Sequence, residues 1–106
     1  MSQSAYLIAQ IDVKDLPQYL DQYGRPVMSQ LTKMGAEILV ASPHVETREG
    51  EWSGNWTVVI RFPSWETAIE WYESTDYAPF KMARISALAS GGNVVFVRGR
   101  DSDTTK

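Results

Sequence analysis

The chain contains no cysteine. Disulfides, thiolate nucleophiles and Cys-ligated zinc or iron–sulfur centres are thereby excluded. It has one histidine, His44, and no His-Glu-x-x-His pattern, so no metal site is expected. Its ten Lys and Arg residues are scattered, and no two are adjacent. Nucleic-acid binding needs basic charge concentrated on one face, and a polybasic membrane anchor needs a cluster. Neither partner is expected. No apolar run approaches the length that spans a bilayer. Met1-Ser2-Gln3-Ser4 carries no charged segment leading into an apolar one, so no signal peptide is read and a cytoplasmic protein is expected. A phosphate-cradling loop is also missing, because Gly91-Gly92 lacks the further glycines and the following helix that such a loop needs. No cofactor is expected.

What the chain does have is apolar content. Hydrophobic residues make up 43% of 106, with a formal net charge of −3. That length and composition describe one globular domain, residues 1–106. Its ordered core is expected over about residues 4–98, with a polar tail at 99–106.

Tyr6 to Val13 reads as a strand. Asp15 then caps a helix with Pro17 in its first turn, where a missing N–H does no harm. Leu16, Tyr19, Leu20, Tyr23, Val27, Leu31 and Met34 recur at helical spacing. Gly24 and Pro26 interrupt that stripe, which predicts a kink or break near Tyr23. Gly35 suits a left-handed C-terminal cap. Ala36 to Ala41 is a second strand, Val45 to Gly54 an exposed loop, and Asn55 to Phe62 a third strand. Asn55-Trp56-Thr57 matches a glycosylation sequon, but strand is the better reading of those residues. Ser64 caps a helix with Trp65, Ala68, Ile69 and Tyr72 on its apolar face. Ser74-Thr75-Asp76 starts another helix, running to about Ala89. Tyr77, Phe80, Arg84 or Ile85, and Leu88 line one side of it. Gly91-Gly92 reads as a turn before a last strand, Asn93 to Arg98. The order βαββαβ is the split ferredoxin-like arrangement, an α+β fold. It predicts an antiparallel four-stranded sheet with the first and third strands central and the helices on one face.

Alternation along the strands divides the side chains between two faces. Leu7, Ala9, Ile11 and Val13 share one face with Trp56, Val58, Ile60 and Phe62. Tyr6, Ile8, Gln10 and Asp12 share the other with Thr57, Val59 and Arg61. The last strand, Val94-Val95-Phe96-Val97, is apolar on both. A sheet covered by helices on one side should have one wet face, and here neither is. A second copy of the chain, sheet against sheet, is the expected cover.

Phe62-Pro63-Ser64, Ala68, Trp71-Tyr72, Ser74 and Tyr77, followed by Lys81 and Arg84, form a pattern. Upstream it continues in Ala5-Tyr6, Val45-Glu46, Glu49-Gly50-Glu51-Trp52 and Val58-Val59-Ile60. From about Ser4 to Arg98 the chain resembles a short bacterial family of unknown function in the dimeric α+β barrel superfamily. The resemblance implies a ferredoxin-like protomer, a homodimer whose two sheets close into a barrel, and a pocket for a small apolar or aromatic ligand between sheet and helices. Relatives in that superfamily include cofactor-free monooxygenases of aromatic polyketides, lactone isomerases and haem-handling enzymes. The chain departs from the family pattern at Ala41-Ser42-Pro43, where an Arg and a Gly pair are usual. It departs again at Arg61, where a carboxylate is usual.

His44 and Arg61 are the candidate catalytic residues. His44 would serve as a base, histidine being the usual general base of enzymes, although a solvated loop histidine is the better reading. Arg61 would meet an anionic ligand, or would form an ion pair with Asp12 or Glu37. Tyr6, Gln10 and Thr57 add hydrogen-bonding groups, and the aromatics Trp65, Trp71, Tyr72, Tyr77 and Phe80 offer flat apolar walls, or simply core. Three functions fit. One is a cofactor-independent enzyme, monooxygenase- or isomerase-like, acting on a small hydrophobic or aromatic molecule. Another is a non-catalytic small-molecule-binding or stress-associated homodimer. The third is a purely structural dimer with no pocket.

Overall fold

The computed structural model describes residues 3–100. The expected tail therefore falls largely outside the described residues. Its first residue, Gly99, is still tied to the sheet, its N–H donating to the Ser4 carbonyl at 2.7 Å. Four strands form one antiparallel sheet: β1 (Ala5–Val13), β2 (Glu37–Ser42), β3 (Trp56–Phe62) and β4 (Ala89–Arg98), in the order β2-β3-β1-β4. The first and third strands are central, as the split βαββαβ order requires. Helices α1 (Leu16–Tyr19), α2 (Arg25–Lys33), α3 (Trp65–Tyr72) and α4 (Ala78–Ala83) pack with the sheet. The Cα envelope is only 17 Å thick, the depth of one sheet and one helical layer. Among the described residues no helix is long and apolar enough to cross a membrane.

The strand alternation decides which side faces the helices. Ala5, Leu7, Ala9, Ile11 and Val13 of β1 are buried together with Trp56, Ile60 and Phe62 of β3. Asn55 extends the β1–β3 ladder with its side chain. Its Oδ1 accepts from the Val13 N–H at 2.8 Å and its Nδ2 donates to the Val13 carbonyl at 3.0 Å. Caps form where short polar side chains precede apolar stripes. Asp15 accepts from the Gln18 N–H and Ser64 from the Thr67 N–H, and Gly35 closes α2 at φ 86°.

Two expectations change. The predicted break near Tyr23 is instead a π-helical turn, Leu20–Gly24, which carries α1 into α2 without leaving the helix. Its register explains the stripe. Tyr19, Tyr23, Val27 and Leu31 follow at spacings of four, which on an α-helix would drift by about 120°. One extra residue in a wide turn removes about 100° of that, so all four face the sheet. A second π-helical turn, Arg84–Leu88, follows α4. The second change concerns Gly91 and Gly92, which belong to β4 rather than to a turn and pair with Asp12 and Ile11. They read as a turn because of their flexibility, yet glycine is needed here for close approach. A Cβ on Gly92 would lie 2.7 Å from the Gln10 carbonyl oxygen.

The far face of the sheet carries no helix. Cross-strand register sorts its side chains into rows. Val40, Val59, Ile8 and Val95 make an apolar row across all four strands. Glu37, Arg61, Tyr6 and Val97 lie on one side of it, and Ser42, Thr57, Gln10 and Asn93 on the other. Val40, Val95 and Val97 are exposed.

Candidate functional site

A cavity of about 210 Å³ lies between the sheet and the helices. Its floor is the inner sheet face, including Leu7, Ala9, Val58 and Ile60, and Tyr19, Tyr23, Leu31 and Trp71 close it from above. The exposed wall residues Arg25, Met28 and Ala41 mark its mouth, between α2 and the edge strand β2. Close packing normally leaves few voids larger than a water molecule. An apolar cavity of about 150 Å³ is enough to hold benzene, so this one suits a body of one or two rings.

Each of the two wide turns supplies one polar group to the wall. Leu20–Gly24 supplies Tyr23, and Arg84–Leu88 supplies Arg84. The Tyr23 and Tyr77 hydroxyls are hydrogen-bonded to each other, and Tyr19 stacks on Tyr23 with ring centroids 5.0 Å apart. Burial pushes the phenols of Tyr19 and Tyr23 well above the ordinary tyrosine value and raises that of Tyr77. They are therefore neutral at physiological pH, available as hydrogen-bond donors and poor as bases. The Trp71 indole N–H is already committed to Gln30 Oε1 at 3.0 Å, so Trp71 offers the cavity only its ring.

Arg84 is the unusual member. It is 7% exposed, and its Nε has no hydrogen-bond partner among the described residues. The Arg84 Cζ lies 5.9 Å from the centroid of the Tyr23 ring. Burial works to lower its pKa, and the neighbouring Tyr23 and Tyr77 oxygens more than offset this and raise it. The guanidinium therefore stays charged. Among the described residues no carboxylate comes within ion-pairing distance of it.

The family described as a domain of unknown function, DUF1330, matches residues 4–100. The chain belongs to that family. The fold of this DUF1330 chain is also similar to solved structures. The methylated RPA0582 protein is 10% identical, with a TM-score of 0.74 over 96% of this chain and 84% of that one. RPA0582 from Rhodopseudomonas palustris, described as a protein of unknown function, is 11% identical with a TM-score of 0.73, over 95% and 85% of the two chains. A dimeric ferredoxin-like protein of unknown function from Thermobifida fusca is 15% identical with a TM-score of 0.52, over 92% of each chain. At these identities the likeness is one of fold. No curated protein matches the sequence significantly.

In the DUF1330 chain the sheet separates the residues that its sequence nominates. Trp71 and Tyr72 border the cavity. Tyr6, Gln10, Thr57 and Arg61 project from the far face, so a pocket between sheet and helices does not contain them. Alternation along a strand groups residues by face, and the helices cover the opposite group. Arg61 is ion-paired with Glu37 beside it across the β2–β3 ladder. Gln10 Oε1 accepts from Ser53 Oγ at 3.1 Å and from Asn93 Nδ2 at 3.3 Å, and Thr57 Oγ1 accepts from the Trp52 indole N–H at 3.2 Å. His44 is exposed in the loop after β2, its backbone N–H donating to Ser42 Oγ, and it does not border the cavity. Of the other aromatics nominated, Tyr77 borders the cavity and Trp65 and Phe80 do not; Arg84, Tyr19 and Tyr23 are the site residues that sequence reasoning did not nominate. One available signal was the unbroken four-residue spacing from Tyr19 to Leu31. The other was a lone Arg inside the otherwise apolar stripe Tyr77-Phe80-Leu88.

Proposed function

We propose that this chain is a small-molecule-binding protein that works as a homodimer. Its pocket between sheet and helices takes a compact apolar or aromatic molecule. One observation carries the reading: a cavity of about 210 Å³, walled by apolar and aromatic side chains, stands where a packed core would be filled. The dimer reading is supported by the exposed apolar row on the far face, by the thinness of the protomer, and by the dimeric Thermobifida fusca protein of similar fold.

The enzyme reading rests on the same pocket. Neutral phenols beside a guanidinium can stabilise a developing oxyanion, which favours proton-transfer or oxygenation chemistry on an enolisable substrate. Such a reaction also needs a base within hydrogen-bond reach, and no histidine or carboxylate borders the cavity among the described residues. Binding is therefore the better supported function.

Native mass spectrometry of untagged protein tests both parts. The expected result is a dimer mass, with a small organic molecule recovered on denaturing extraction or toluene taken up by the emptied protein. A monomer that excludes toluene overturns the reading. Turnover of the recovered molecule would move the reading to an enzyme.

A further inference from the structure

We propose that the pocket's ligand is a small monocarboxylic acid with an aromatic or branched apolar body, its carboxylate seated on Arg84. This rests on the binding function proposed above and names the class of molecule bound.

The first argument is the buried guanidinium itself. A buried charge without a counter-charge costs several kcal/mol and is normally paired or neutralised. Arginine cannot be neutralised by losing its proton. Arg84 is nine-tenths buried, has an orphaned Nε, and borders the cavity with no carboxylate near it. The missing partner is an anion that the chain does not supply.

The second argument is the sign of the whole wall. The charged residues bordering the cavity are Arg25 at the mouth and Arg84 inside, and no Asp or Glu among the described residues borders it. This holds in a chain with 13 acidic residues against ten basic ones. Arg25 has only a loose, exposed pairing with Asp21 at 4.0 Å, so its guanidinium stays free to meet an anion at the entrance.

The third argument selects a carboxylate over other anions. One cation lies inside, and the groups around it are neutral phenols, so the site balances one negative charge. A phosphate dianion would leave charge uncompensated in an apolar cavity. In the Tyr23–Tyr77 hydroxyl pair only one proton lies between the two oxygens, so the other O–H remains free to donate. A guanidinium N–H and a phenolic O–H together match the two oxygens of a carboxylate, with charge-assisted bonds at the Arg84 side. The geometry also orients the molecule. Arg84 and Tyr72 stand between the apolar cavity and a second, more open recess bordered by Ser90, Gly91 and Gly92. The carboxylate lies at that partition, and the apolar body points toward Ala9 and Ile60.

The test is calorimetric titration of the purified wild-type dimer with a panel of acids: benzoate, phenylacetate, indole-3-carboxylate and 4-methylvalerate. Each is paired with its neutral primary amide, and toluene serves as the uncharged reference. At least one acid is expected to bind tighter than its amide by roughly tenfold or more. Arg84→Met is expected to abolish that preference while toluene binding stays within a few-fold, and Arg84→Lys is expected to restore part of it. Equal binding of every acid and its amide, or a preference that survives Arg84→Met, overturns this inference and leaves the pocket standing. Failure of every probe, toluene included, overturns the binding function itself.

Discussion

Replacing Arg84 with methionine should make the ligand-free protein more stable. Methionine has a similar length and carries no charge, so it can occupy the same channel between Tyr23, Tyr72 and Tyr77. What disappears is the desolvation of a guanidinium that is 7% exposed with an orphaned Nε, a penalty of several kcal/mol in real interiors. Two compensations disappear with it. The contact with the Tyr23 ring at 5.9 Å contributes about 0.5–2 kcal/mol. The attraction of the neighbouring Tyr23 and Tyr77 oxygens, which helps hold the guanidinium charged, goes with it. Exchanging buried charged groups for well-packed apolar ones gains about 1–4 kcal/mol in comparable cases. We expect a gain of roughly 1–3 kcal/mol for Arg84→Met. For a domain of this size each kcal/mol moves Tm by about 4–8 °C, so Tm should rise by at least ~4 °C. Urea unfolding of ligand-free wild type and variant gives the free energy directly, and the midpoint should shift at unchanged m. Leu31→Ala is the control, since Leu31 is 1% exposed and its truncation should cost about 2–5 kcal/mol. A drop in stability of about 1 kcal/mol or more for Arg84→Met would refute the reasoning. It would mean that the guanidinium is a net structural anchor and is not waiting for an anion.

Three further outcomes are expected. Val95→Glu, which puts a charge at an exposed position of the far-face apolar row, should convert a dimer to a monomer in size exclusion with light scattering, whereas a wild type already monomeric would defeat the sheet-to-sheet argument. Asn55→Ala removes both bonds that hold the Val13 backbone and should cost about 1–3 kcal/mol in urea unfolding, and no measurable change would show that water replaces them. Tyr19, Tyr23 and Tyr77 have folded pKa values raised above the unfolded value of ~10; the unfolded chain therefore loses these protons first, and the stability they contribute, complete below pH ~10, should fall as pH rises beyond it by up to about 1.4 kcal/mol per unit for each tyrosine. Ultraviolet titration should show these three ionising only together with unfolding, and independent ionisation in the folded protein would contradict their burial.

The secondary structure was legible wherever one local rule dominated. Alternation announced β1 and β3, Asp15 and Ser64 announced helix starts, and Gly35 announced a stop. The start of β4 was not legible, because a glycine pair reads as a turn until the neighbouring strand that needs the space is known. The site was half legible. Tyr72 lies where its helix pattern predicts, whereas Trp71, which that pattern left off the apolar face, is the more deeply buried of the two. Tyr6, Gln10, Thr57 and Arg61 were grouped correctly on one strand face, but alternation does not say which face the helices will cover. The reasoning that a buried arginine needs an anion was applied to Arg61, which a neighbouring strand satisfies with Glu37. It applies with more force to Arg84. That residue stayed hidden because regular helical spacing leaves Arg84 and Ile85 as near-equal claimants to the inner face, and only the wide turn decides between them. Ile85 ends 59% exposed.

The two wide turns make chemistry in this chain a matter of counting residues as well as choosing them. Loss of a single codon within Leu20–Gly24 would return α1 and α2 to one regular helix. Everything downstream of the deletion would then turn by about 100° relative to Tyr19, while the sheet kept its registers. The same loss within Arg84–Leu88 would reset the phase between α4 and β4. Chains of this fold can thus gain or lose a polar pocket head by one-residue insertion or deletion, with no change in the apolar residues that hold the layers together.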